Sequence, residues 1–105
     1  MNPKRYQVKI APSAAKDLKE IIIYLAQQNP TAAQNMATLI RGKINSILTV
    51  NPYICPIVTK YPDLLAAGYR RLVIHKSYTI LFLIMEEVVE VRHIMHNRRD
   101  WNELI

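Results

Sequence analysis

Gly68-Tyr69-Arg70-Arg71-Leu72-Val73-Ile74-His75-Lys76-Ser77-Tyr78-Thr79-Ile80-Leu81-Phe82-Leu83-Ile84-Met85-Glu86-Glu87-Val88-Val89-Glu90-Val91-Arg92-His93-Ile94 decides the fold of this chain. It is rich in Val, Ile, Leu, Tyr and Phe, residues that suit a pleated, half-buried surface. Two short polar interruptions, His75-Lys76-Ser77 and Met85-Glu86-Glu87, divide it into strands over residues 69–74, 78–84 and 88–94. Residues 78–84 are almost wholly apolar, as a central strand covered on both faces must be.

Upstream of Gly68 the period changes from two to 3.6. Ala14, Leu18, Ile21, Ile22 and Leu25 form one apolar stripe, which predicts a helix over residues 14–28 with Ser13 as its N-cap. Asn29-Pro30 then ends one helix and starts the next, Asn as cap and Pro at the first helical position. Ala33, Met36, Ile40, Ile44, Ile47 and Leu48 continue the period over residues 31–50, so two helices form an antiparallel hairpin. Before them, Tyr6, Val8 and Ile10 alternate with Gln7 and Lys9 as a short first strand. Pro52, Pro56 and Pro62 make residues 51–62 a loop. The expected architecture is α+β: an N-terminal strand, a two-helix antiparallel hairpin and a three-stranded antiparallel meander, with the helices on one face of the sheet. Leu18, Ile21, Leu25, Ile40, Ile44, Leu48, Ile80, Phe82 and Val91 are the expected core, with Tyr24 and Tyr78 keeping their hydroxyls at its rim.

At 105 residues the chain has room for one domain, taken as residues 1–105. Fourteen Lys and Arg against eight Asp and Glu give a formal charge of +6, which suits an acidic partner. A single cysteine, Cys55, excludes an internal disulfide and reads as a packed thiol in Ile54-Cys55-Pro56-Ile57. The longest apolar run, residues 80–85, is far below the ~20 residues of a membrane span, and the N-terminus has no secretory h-region; a cytoplasmic protein without a membrane partner is expected.

Few motifs carry chemistry. His93 and His96 lie three apart, and on a strand they project to opposite faces, so no metal site is expected. Both glycines are isolated, which excludes a phosphate-cradling loop, and no cofactor is called for. The informative residues are basic. Arg70 and Arg71 open one strand, Arg92 lies on the last, and Arg98-Arg99 follow it. Guanidinium groups on an uncovered sheet face or edge would bind carboxylates or phosphates by bidentate bonds. The alternative is that each is a solvated residue on a half-exposed strand.

The ordered set Asp17-Leu18, Ile22, Tyr24-Leu25, Asn29-Pro30-Thr31-Ala32-Ala33, Ile44, Leu48, Asn51-Pro52, Gly68-Tyr69-Arg70-Arg71-Leu72, Tyr78-Thr79-Ile80-Leu81-Phe82 and Val91, Ile94-Met95-His96-Asn97-Arg98-Arg99-Asp100-Trp101 resembles the RelE/ParE superfamily of bacterial type II toxins. The resemblance implies a growth-arresting toxin neutralised by a cognate antitoxin that is acidic and partly disordered. Charge steering would then speed their association at low salt. RelE-like members cut mRNA on the ribosome; ParE-like members poison DNA gyrase. RelE-like nucleases carry an arginine after the tyrosine that opens the central strand, where this chain has Thr79. They also carry a tyrosine near the C-terminus, where this chain has Asn102. Both departures bring the sequence closer to ParE. Arg70, Arg71, Arg92, His96, Arg98, Arg99 and Trp101 are the expected target- or antitoxin-binding residues. A nuclease would have to draw on Arg71, Arg92, His96 (or His75) and Arg98, in contact with ribosome and mRNA. A third reading is a basic binding module without toxicity, distinguished by the absence of a short acidic upstream reading frame.

Overall fold

The computed structural model describes residues 6–97. Strand β1 (Gln7–Ile10) leads into helix α1 (Pro12–Gln28) and helix α2 (Pro30–Lys43). A π-helical turn (Ile44–Leu48) and a 3-10 turn (Pro52–Ile54) follow, then a short helix α3 (Pro62–Ala67). Strands β2 (Arg70–Ile74), β3 (Tyr78–Met85) and β4 (Val88–His96) complete the fold. The sheet order is β1-β4-β3-β2. β2, β3 and β4 form the expected antiparallel meander with β3 in its interior, and β1 adds to β4 in parallel, which makes the sheet mixed. Among the described residues no helix is long and apolar enough to cross a membrane.

Asn29 acts as predicted: its side chain accepts from the Thr31 and Ala32 backbone N–H groups at 3.0 and 3.1 Å, with Pro30 opening α2. Ser13 does not cap α1, which starts two residues earlier than expected, with Ala11 at the cap position and no side-chain cap. Its hydroxyl donates instead to the Arg92 carbonyl at 2.6 Å. The cause lies in the topology. β1 ends at Ile10 opposite Val91, and beyond it β4 has no strand on that edge. Ala11 N–H reaches the Val91 carbonyl, and then the first turns of α1 take over the edge through Ser13 and Asp17. Asp17 Oδ2 accepts from the Ile94 N–H at 3.0 Å and lies 3.3 Å from His93 Nδ1.

Ile40, Ile44, Leu48, Ile80, Phe82 and Val91 are buried together with Ala14, Cys55, Ile74, Val89 and Ile94. The expected contribution of α1 is smaller. Leu18, Ile21 and Leu25 are only half-buried, and Tyr24, expected at the core, is 61% exposed. α1 packs against α2 and β4, which leaves its outer flank, with Ile23, open to solvent. The second sheet face is covered over β3, as the apolar run of residues 78–84 requires, and is not the uncovered face offered for the strand arginines. Val58, from the expected loop, Leu64, from the unforeseen helix α3, and Tyr69 close over Leu81 and Met95 there. Gly68 ends α3 at φ 86, the left-handed conformation where a Cβ is strained.

The β2–β3 hairpin closes with His75 at φ 55 and Lys76 at φ 59, and Ser77 N–H bonds the Ile74 carbonyl at 3.1 Å. Positive φ at both central residues is the type I′ pattern, which favours Asn-Gly. Such conformations cost of order 1–3 kcal/mol each in other residues.

Candidate functional site

The strand arginines do not form one patch, because each is placed by its own partner. Arg70 shares the helix-side face with Leu72 and Ile74. Its Nη1 donates to the carbonyls of Cys55 at 2.6 Å and Tyr53 at 3.3 Å, and its guanidinium lies 5.0 Å from the Tyr53 ring centre. It ties down the loop before α3 and has little left for a partner. Arg71 and Arg92 lie on the other face. Arg92 Nε donates to Glu90 Oε1 at 2.6 Å, and that bond, reinforced by the Tyr69 hydroxyl, holds the guanidinium above its usual basicity. Both groups of this pair are well solvated, so it contributes little to stability. Among the described residues the Arg71 guanidinium, half-buried, makes no hydrogen bond or ion pair, which leaves it available.

His96 falls on the helix-side face at the end of β4, with its ring edge-on to Tyr78 at 5.3 Å between centres. It borders a cleft of about 410 Å³ whose walls include Asp17, Glu20, Tyr24 and Tyr78. His96 is therefore separated by the sheet from Arg71 and Arg92. Among the described residues, Arg71, Arg92 and His96, on which a nuclease would draw, are not gathered around one point. Arg98, Arg99, Trp101 and Asn102 lie outside the described residues.

Thr79 is the position where the resemblance places the arginine of the RelE-like members. It is 2% exposed on β3, and its hydroxyl donates to Asn97 Oδ1. Asn97 in turn donates through Nδ2 to the Lys76 carbonyl and through its backbone N–H to the Ser77 carbonyl, both at 2.8 Å. Where the resemblance puts a catalytic guanidinium, this chain has a satisfied, internal structural hydroxyl.

Residues 8–101 match the family model described as the ParE toxin of the type II toxin–antitoxin system, parDE. The chain belongs to the ParE toxin family. Among solved structures it is similar to a chain of the chromosomal ParDE toxin–antitoxin system of P. aeruginosa, at TM-score 0.70 and 18% identity over 88% of this chain and 96% of that one. It is also similar to a chain of the RelBE2 toxin–antitoxin complex of Mycobacterium tuberculosis, at TM-score 0.56 and 15% identity over 93% and 98%. At these identities the structural likenesses establish the shared fold and no more. No curated protein matches.

Within this ParE-family fold, the groups whose bonding roles the sequence did not reveal are Ser13, Asp17, Tyr69, Glu90 and Asn97. Asp17 and Ser13 had a signal: polar residues four apart at the start of an amphipathic helix that follows a strand too short to pair the full length of β4. The bonds of Tyr69 and Glu90 to Arg92 join sheet positions whose registers are set by the fold and by the irregularity between Leu81 and Phe82.

Two buried acids give this ParE-family chain an alkaline limit. Burial pushes the Cys55 thiol above its ordinary 9.0, opposed by the nearby Arg70 cation. Burial, aided by Tyr24, pushes the Tyr78 phenol above 10.0. In both cases the folded state holds its proton more tightly than the unfolded chain. Stability is therefore unaffected well below pH 9 and is lost as pH rises from there through the folded-state values. Urea midpoints are expected to fall between pH 8.5 and 10.5, and Cys55→Ala is expected to flatten the first part of that fall.

Proposed function

We propose that this ParE-family protein is a cytoplasmic toxin that arrests growth by binding DNA gyrase and does not cleave RNA. The observation that carries the reading is Thr79, buried and committed to Asn97 where a nuclease of the superfamily would place its arginine. RNA cleavage through the 2′-OH needs a base, a cation for the phosphorane and an acid for the leaving oxygen, and each such group is commonly worth ~10²–10⁴ in rate. Arg71 and His96 lie on opposite faces of the sheet, and the Arg92 guanidinium is engaged by Glu90 and Tyr69. The target contact is assigned to the basic stretch from Arg92 to Trp101.

The neutralising partner is an antitoxin segment that is both acidic and apolar. What supports this is a groove of about 500 Å³ along α1, walled by Ile10, Leu18, Ile22, Ile23 and Ile44 with Lys19 and Arg41 beside them. Ile10 and Ile23 are about half exposed, an unfavourable surface unless covered. An amphipathic segment that orders on binding would bury these side chains and pair its carboxylates with the two cations.

The test is induction in bacterial cells with and without the co-expressed antitoxin. Arg98→Ala combined with Arg99→Ala is expected to abolish growth arrest while antitoxin binding persists. Undiminished arrest by the double variant would remove the C-terminal stretch from the target contact.

A further inference from the structure

The β2–β3 hairpin is closed by residues that stability alone would not choose. Both His75 and Lys76 sit in the left-handed region, at φ 55 and 59, where Asn-Gly would fit without strain. The conformation is imposed from outside the turn. Asn97 grips the Lys76 and Ser77 carbonyls, and the buried Thr79 hydroxyl fixes the Asn97 side chain. Among the described residues neither the His75 ring nor the Lys76 ammonium has a hydrogen-bond or ionic partner, and both residues are exposed. The result is a rigid backbone that presents two side chains the fold does not use. Strain that surrounding structure maintains while its side chains point to solvent marks a place held for contact. Asn97, the residue that maintains it, directly precedes Arg98-Arg99 in the sequence.

We propose that the His75-Lys76 turn is a preformed contact element that engages a carboxylate-bearing surface of the toxin's protein target. This rests on the reading of the chain as a target-binding toxin, and adds a second contact beside the C-terminal stretch. A protein surface fits better than nucleic acid. Tracking a phosphate backbone takes a stripe of free cations, with 6–10 contacts typical of strong binders. Here Arg70 is folded onto its own loop and Arg92 onto Glu90, so the described part of the sheet offers isolated cations instead of a stripe.

The experiment compares the wild-type chain with the double substitution His75→Asn and Lys76→Gly, which keeps the turn and removes both side chains, and with Lys76→Gln alone. The double variant is expected to melt at or above the wild-type temperature, to bind the antitoxin unchanged, to lose growth arrest, and to bind purified gyrase at least tenfold more weakly. Lys76→Gln is expected to lose about threefold. A double variant that arrests growth as well as wild type overturns the inference, as does one whose affinity for gyrase is unchanged. If wild type arrests growth without binding gyrase, the gyrase reading fails by itself, and growth arrest by the double variant still decides the role of the turn. Equal weakening on a 30-base-pair DNA duplex free of protein would overturn the assignment to a protein surface.

Discussion

Asp17→Ala is expected to lower the melting temperature by about 12–24 °C. The Asp17 carboxylate accepts the Ile94 N–H in a region where Ile94 is 1% exposed, and it faces His93 at 3.3 Å. Removing it leaves a buried backbone donor without an acceptor and releases α1 from the edge of β4 where β1 no longer reaches. Loss of a charged acceptor from a buried donor costs about 3 kcal/mol, and in a domain of this size each kcal/mol is worth about 4–8 °C. Asp17→Asn keeps an oxygen in place and should lose about half as much. Thermal melts followed by circular dichroism, with Ser13→Ala as a milder comparison on the same edge, check the ordering Asp17→Ala, then Asp17→Asn, then Ser13→Ala. A melting temperature within 3 °C of wild type for Asp17→Ala would show that α1 is held by its apolar contacts alone.

Thr79→Arg, the substitution that would restore the residue RelE-like nucleases carry, is expected to unfold the protein at 37 °C and to create no nuclease. The position is 2% exposed between strands of a packed sheet, and the nearest polar partner, Asn97, already serves Lys76 and Ser77. An unpaired guanidinium there costs several kcal/mol, a large part of the ~5–15 kcal/mol that stabilises a small domain. Thr79→Val removes only the hydroxyl, at about 1 kcal/mol, and should leave the fold intact while freeing Asn97. Soluble yield, the far-ultraviolet spectrum and an RNA cleavage assay on the two variants check both halves. A folded Thr79→Arg protein would mean that the site has room for the guanidinium, and one that also cuts RNA would mean that a single replacement separates the two chemistries.

The parts of this fold that were legible in the sequence are those fixed by neighbours along the chain. Asn29-Pro30 states a cap and a helix start in two residues, and the strand meander is written in the change of period after Gly68. The helix α3 was missed although Pro62, Asp63 and Gly68 mark its ends, because six residues are too few to show a helical period. The parallel pairing of β1 with β4 joins residues 81 apart, such as Gln7 and Val88, and the use of Ser13 and Asp17 as edge substitutes depends on contacts 79 and 77 residues apart. Periodicity identified an apolar stripe on α1 but not what covers it, so Leu18, Ile21 and Leu25 were expected to be more buried than they are. The candidate site was legible as a charge pattern and illegible as a set of partners. Arg70 and Arg92 read alike in the sequence; the Tyr53 and Cys55 carbonyls engage one, and Glu90 the other. The register irregularity between Leu81 and Phe82, which helps set where Arg92 points, left no mark in composition.

The central claim is that this member of the ParE family acts on gyrase and not on RNA. It is tested most directly by adding the purified protein to two reconstituted reactions at the same concentrations: supercoiling of relaxed plasmid by gyrase, and translation of a defined message by intact ribosomes. The account predicts inhibition of supercoiling with accumulation of cleaved plasmid, and a message that remains intact. Specific cuts in the message at codon-register positions, lost on His96→Ala, with supercoiling unaffected, would contradict it.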